Sequence, residues 1–300
     1  MEQGQTNSDL ISNGWFMEKN KQWSGQAFSL EVEKVLEVKQ SEFQDIMVFQ
    51  SKNHGNVLVL DGVIQCTEFD EYCYQEMLAH LALNSHPNPE KVLIIGGGDG
   101  GIARECAKHP KVKSVTQCEI DGDVVALSKK YLPSMASGFE SPKMNLNIGD
   151  GFAFMEKHQN EFDIVISDTS DPVGPAERLF SENYYKLVHA ALKEDGILSV
   201  QGECMFLHAN LIRNLLDFCN GLFAKAAYAT SYVPTYPCGQ IGYVLASKNA
   251  HTNFKKPAIV FNEDEKEKIG FRYYDEEIHE NAFVLPRAFK KILAGTNHEE

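Results

Sequence analysis

The chain has 300 residues, 43% hydrophobic and 23% charged, enough for one large domain or two smaller ones with a real core. Lys+Arg 28 against Asp+Glu 42 leaves a formal charge of −14. That balance argues against nucleic acid or an anionic membrane as a partner, since both need a basic footprint, and it suits cationic ligands.

Taken in chain order, the polar opening MEQGQTNSDLISNG lacks the basic-then-apolar run of a signal peptide, and residues 1–14 read as a disordered tail. From about Ala27 to Thr67 the period is two, in FSLEVEKVLEV, FQDIMVFQ and NVLVLDGVIQ. Asp61-Gly62 between apolar runs is a strong hairpin signal. Residues 15–67 therefore read as a small antiparallel β domain that must pack on its neighbour or on another copy.

At Glu68 the pattern becomes helical, with Tyr74, Met77, Leu78 and Leu81 on one stripe until SHPNP breaks it. Strands and helices then alternate: KVLIIG, a helix after Gly101, SVTQCEI, helix 121–131, MNLNIG, helix 151–158, FDIVISD, helix 181–194, GILSVQG, helix 207–222. Late strands follow near 226–233 and 241–247. This predicts an α/β, Rossmann-like, mainly parallel doubly wound sheet across residues 68–300. The acidic runs NEDEKEK and DEEIHEN read as solvated helix faces. Seven dispersed cysteines without a CxxC pair read as reduced thiols rather than disulfides or a zinc site. No stretch approaches the ~20 apolar residues of a membrane helix, so the expectation is a soluble cytoplasmic protein.

Gly96, Gly98 and Gly101 fit G-x-G-x-x-G between a strand and a helix, and Glu119 ends the next strand 21 residues after Gly98. A Walker A loop fails because no Lys-Ser/Thr follows. NAD fits poorly, because Asp99 inside the loop would repel a pyrophosphate and attract a cation. Glu119 would accept from ribose hydroxyls, and Asp150-Gly151 sits where an adenine amino group could be met. A sulfonium nucleoside of the S-adenosylmethionine kind fits these acids.

Asp168 and Asp171 end the next strand on the same rim. Asp171 could also serve an Asx-turn before Pro172. An alkylamine nucleophile has a pKa of about 10, so keeping it neutral at pH 7 costs roughly 4 kcal/mol. A carboxylate in reach can position the amine and take its proton. Tyr74 and Tyr236, the latter in PTYPCGQIG, could pack a methylene chain and meet an ammonium, although each is also a fair core residue. Cys238 reads as a passenger.

Together these motifs resemble the spermidine synthases, a family of aminopropyltransferases. The matching stretches are GNVLVLDGVIQCTEFDEYCYQEMLAH, KVLIIGGGDGG, QCEID, GDGFAFM, SDTSDPVGPAERLF, QGE and PTYPCGQIG, with similarity from about Trp15 to Leu293. The resemblance implies transfer of the aminopropyl group of decarboxylated S-adenosylmethionine to putrescine, giving spermidine and methylthioadenosine. It implies a homodimer with no metal and no bound cofactor. By matching position, it makes Asp168 the base, and Asp171, Tyr74 and Tyr236 diamine-pocket residues. Gln44, Gln75, Asp99, Glu119, Asp150 and Gly151 become contacts to the sulfonium nucleoside. The alternatives are a spermine or thermospermine synthase, or a putrescine N-methyltransferase on the same frame. A non-catalytic polyamine-binding regulator would be expected to lack Asp168, which is present.

Overall fold

A computed structural model describes residues 10–169 and 181–295. The first sheet is an antiparallel meander in the order β1 (Ile11–Ser12), β2 (Trp15–Glu18), β3 (Phe28–Gln40), β4 (Asp45–Ser51), β5 (Asn56–Leu60) and β6 (Val63–Thr67). It begins earlier than the sequence reading placed it. Residues 10–14 are not tail: Leu10 is buried, and Asn13-Gly14, both at positive φ, turn β1 onto β2. Asp61-Gly62 likewise turns β5 into β6, with φ of 48° and 81°. Positive φ at both central residues gives the turn a twist that matches its flanking strands.

Alternation divides this sheet between two cores. Met47, Phe49, Val57 and Val59 face Phe16, Leu30 and Leu10. Ile46, Val48, Leu58 and Cys66 face Val124, Leu127, Leu132 and Met135 of the following segment. The second set explains why the small sheet does not stand alone: burying it needs the neighbour.

The second sheet has the order β12-β13-β11-β10-β7-β8-β9. Its strands are β7 (Lys91–Gly96), β8 (Ser114–Glu119), β9 (Met144–Ile148), β10 (Phe162–Asp168), β11 (Leu192–Gln201), β12 (Lys225–Tyr232) and β13 (Gln240–Ser247). The first five are parallel; β13 runs antiparallel to β11 and β12. The parallel strands read as continuous apolar runs because helices cover both faces. One face carries α1 (Glu71–Ser85) and α2 (Gly101–Lys108). The other carries α5 (Gly151–Met155), α6 (Glu182–Ala191), α7 (Ala209–Leu222) and α10 (Arg287–Leu293). Between β8 and β9 lie α3 (Gly122–Tyr131) and α4 (Pro133–Ala136).

Past β13 come α8 (Glu263–Ile269) and α9 (Glu276–Asn281), and Phe271, Tyr274, Ile278 and Phe283 around α9 pack into the same core as α1. Almost all of α1 is buried, including Glu71, Gln75, Glu76, His80 and Asn84, so its polar face is as enclosed as its apolar one. Glu76 accepts the backbone N–H groups of Arg272, Tyr273 and Tyr274 at 2.8–2.9 Å.

Strand order reverses between β7 and β10. Open α/β sheets place their ligands at such a point, outside the carboxyl ends of the strands. Gly96 and Asp168 are register partners there. All seven cysteines are free, and only Cys238 is exposed. No helix among the described residues is long and apolar enough to cross a membrane.

Candidate active site

A cavity of about 320 Å³ opens at the β7/β10 switch point. Its floor is the glycine loop joining β7 to α2. Gly96 has φ +84°, and a Cβ there would stand 2.0 Å from the Asp168 carbonyl oxygen. Only glycine lets these two strand ends approach so closely. Gly97 N then donates to that carbonyl at 2.9 Å, and Gln117 Nε2 ties down the Gly96 and Gly97 carbonyls at 2.7 Å each.

Asp99, Glu119 and Asp168 converge on this space. Asp99 Oδ1 accepts from Gly101 N at 2.6 Å, capping the first turn of α2, and from Gln75 Nε2 at 2.8 Å. Burial, and then the charge of Asp168, holds the Asp99 carboxyl well above the usual carboxylate range. Glu119 Oε1 accepts from Asp121 N at 2.8 Å, and burial pushes its carboxyl up to about 7. Asp168 Oδ1 accepts from the Tyr74 hydroxyl at 2.5 Å. Burial raises this carboxyl too, against the lowering effect of that hydrogen bond. Three desolvated carboxylates thus share one cavity. Among its described lining residues there is no Lys or Arg, and His208 lies 3.0 Å from Glu203. An uncompensated cluster of this kind favours binding of a cation that supplies the missing charge.

The other expected residues fall at different distances from the space. Gln44 lines it and donates to Asp121 Oδ2 at 2.9 Å. Asp150 caps α5 through Phe152 N at 2.9 Å and stays exposed at the rim, with Gly151 beside it. Tyr236 lines the opposite wall, its ring 5.7 Å from that of Tyr74. Its hydroxyl donates to the Gln65 carbonyl at 2.7 Å, so only its lone pairs face a ligand. Gln75 does not reach the wall; it stands behind Asp99. Asp171 lies outside the described residues, as does most of the segment 169–178. Cys238 is exposed and off the wall.

Sequence reasoning missed the far end. Trp23, Gln201, Glu203 and Gln240 line it. Trp23 Nε1, Gln201 Oε1 and Gln240 Nε2 are buried without a partner among the described residues. Glu203 is buried and held at φ 62° in the loop after β11, a conformation uncommon outside glycine. The QGE string contains two of these residues, but nothing in its spacing assigns them a role. Buried polar atoms without partners are costly unless a ligand or water meets them.

Residues 71–256 match the spermine/spermidine synthase domain, and residues 14–68 match the spermidine synthase tetramerisation domain. A spermidine synthase of Schizosaccharomyces pombe is 50% identical over 284 residues, covering 95% of this chain and 95% of that one. One from Dictyostelium discoideum is 50% identical over 285 residues, covering 95% and 99%. A crystal structure of spermidine synthase in complex with the transition-state analogue AdoDATO superposes with a TM-score of 0.87. That protein is 35% identical, with 98% of each chain covered. On these matches, which span both sheets, the chain belongs to the spermine/spermidine synthase family.

Proposed function

We propose that this enzyme is a spermidine synthase, moving the aminopropyl group of decarboxylated S-adenosylmethionine to putrescine. The single observation that carries this reading is the convergence on one cavity of Glu119, buried, and Asp99 and Asp168, half-buried, with no Lys or Arg among the described lining residues. Two cationic small molecules side by side supply what that cavity lacks.

The nucleoside lies along the glycine loop. Glu119 accepts from the ribose, Asp150 and Gly151 meet the adenine, and Gln44 completes that wall. Asp99 faces the ammonium of the aminopropyl arm, with Gln75 supporting it from behind. The diamine lies along the wall that Tyr74 and Tyr236 share, its reacting nitrogen at Asp168 and its other ammonium toward Glu203. Asp171 keeps the diamine-pocket role its motif position implies.

The chemistry is a displacement. The neutral amine attacks the carbon bonded to sulfur, the C–S bond breaks, and its electron pair neutralises the sulfonium to give methylthioadenosine. The new secondary ammonium loses its proton to Asp168. A carboxyl raised by burial is a better acceptor for that proton than an exposed one. Alignment of the two substrates supplies several further kcal/mol, on the order of what fixed intramolecular geometry gives. Because the sulfonium is already an excellent leaving group, we include in the proposal that no metal or bound cofactor takes part.

The tetramerisation-domain match supports an oligomer. We propose a homodimer formed through the first sheet, where Trp15, Val35 and Val38 are exposed. The free thiols fit the reducing cytoplasm, where we place the enzyme.

The test is product analysis by mass after incubation with decarboxylated S-adenosylmethionine and a panel of amines. Spermidine plus methylthioadenosine from putrescine is the expected result. Exclusive use of spermidine as acceptor, or methylation of putrescine from S-adenosylmethionine, would overturn it.

A further inference from the structure

Behind the cavity, α1 and the first turn of α2 carry a second set of charges that the reaction does not touch. Arg104 lies between Glu71, Gln75 and Glu105. Its Nε donates to Glu105 Oε1 at 2.7 Å. Nη1 reaches Glu71 Oε1 and the Ser134 carbonyl, both at 3.3 Å. Nη2 donates to Glu71 Oε2 at 2.7 Å and to Gln75 Oε1 at 3.1 Å. The guanidinium's donors are thus fully used, four of these contacts on α1 and α2 side chains.

The contact with Gln75 has a directional consequence. A carboxamide has an accepting end and a donating end, and a guanidinium can only donate. Arg104 therefore fixes which end of Gln75 points where. With Oε1 held by Arg104, Nε2 faces Asp99 Oδ1 at 2.8 Å. The flipped amide would set a carbonyl oxygen against a carboxylate and a donor against a donor. Gly101 makes room for this arrangement, since a Cβ there would stand 2.0 Å from Gln75 Oε1. Asp99 Oδ1 is then saturated by Gln75 and Gly101 N, leaving Oδ2 without a protein donor among the described residues.

We propose that Arg104 is a positioning residue for the sulfonium nucleoside: through Gln75 it holds Asp99 with one oxygen committed and the other free for the aminopropyl ammonium. The relay also opposes protonation of Asp99. Burial and Asp168 push that carboxyl up, while Arg104 pulls it down. A donor on Oδ1 favours the charged form, the only form that attracts an ammonium. This inference rests on the assignment of Asp99 to the nucleoside rather than to the diamine.

The experiment is steady-state kinetics on the full chain, each substrate varied in turn, for Arg104→Lys, Gln75→Met and the double variant. Lysine keeps the charge but loses the planar fork that reaches Glu71 and Gln75 together. Arg104→Lys should raise KM for decarboxylated S-adenosylmethionine about tenfold, the effect of one charge-assisted hydrogen bond. KM for putrescine should stay within about twofold, as expected for a site outside the relay. The acid limb of kcat/KM for the nucleoside should move to higher pH. Gln75→Met should reproduce both changes, and the double variant should be no worse than Gln75→Met alone.

Equal rises in both KM values would overturn the proposal. So would effects of the two single variants that multiply in the double, or a loss of thermal stability with unchanged KM and pH profile. Should Arg104→Lys fail to fold, Gln75→Met and Gly101→Ala carry the same expectation, and a normal nucleoside KM in both overturns it. Failure of the functional reading is separate: the unaltered enzyme would then form no spermidine.

Discussion

Two clusters of buried or half-buried acids, joined through Gln75, have opposite fates. On the cavity side, Asp99, Glu119 and Asp168 face one another with no described Lys or Arg on the wall. On the α1 side, Glu71 and Glu105 are gripped by Arg104, Glu105 also by Lys108, and Glu76 by three backbone N–H groups. Burial alone would raise Glu105, yet His80, Arg104 and Lys108 hold its carboxyl at about 2. Glu119 is as deeply buried and sits near 7. The lesson is that a buried carboxylate marks a binding site when its charge is left unmatched, and a structural one when it is matched.

Three measurements sharpen or break that contrast. The largest effect is expected for Asp168→Asn. It removes the proposed proton acceptor but keeps the shape, so kcat should fall at least ~100-fold while the unfolding temperature holds or rises. Unchanged turnover would mean that another group takes the proton. Next comes Glu76→Gln on the matched side. An amide cannot accept all three backbone donors, so unfolding free energy should drop by about 2 kcal/mol, read by denaturant titration. Its kcat should stay near normal; a hundredfold loss there would erase the distinction between the clusters.

The smallest effect is a pH dependence. Glu119, raised to about 7, and Asp99 and Asp168, raised by burial, keep protons in the folded state that the unfolded chain releases near pH 4. Their contribution to stability is therefore present at low pH and declines as pH rises through their folded values. A bound cation removes the penalty. Putrescine with methylthioadenosine should then raise the unfolding temperature more at about pH 8 than at about pH 5.5, a difference on the order of 1 kcal/mol. A gain that is larger at the acidic end would show that the cluster is not the cation site.

Much of the cavity was legible because its parts are local. A strand, a glycine turn and a helix are read from a dozen residues, and Asp168 follows directly from where an apolar strand stops. The register that sets Asp168 beside Gly96 follows from the parallel sheet that the alternation implied. What stayed hidden depends on distant pairing. Glu203 and Gln201 reach the wall because β11 is the neighbour of β10, and Trp23 arrives from outside the second sheet altogether. The helical stripe on α1 named Tyr74, Met77, Leu78 and Leu81, but no pattern reveals that Glu71, Gln75 and Glu76 are buried as well. Each is buried because a partner comes from far along the chain: Arg104, Asp99 or the 272–274 backbone. Asn13-Gly14 carried a hairpin signal as plain as Asp61-Gly62, and it was lost in a polar segment that, among the described residues, Leu10 and Ile11 anchor to the core.

The β5–β6 hairpin is more than a surface ornament of the first sheet. Leu58, Leu60, Ile64 and Gln65 form part of the pocket wall, and the same sheet exposes Trp15 on β2 and Val38 on β3. One thin layer thus lines the cavity with some of its side chains and leaves other apolar ones exposed. A chain trimmed to its second sheet would keep its glycine turn yet lose a side of the chamber. Substitutions in the first sheet can therefore reshape the cavity without any movement of Asp99, Glu119 or Asp168.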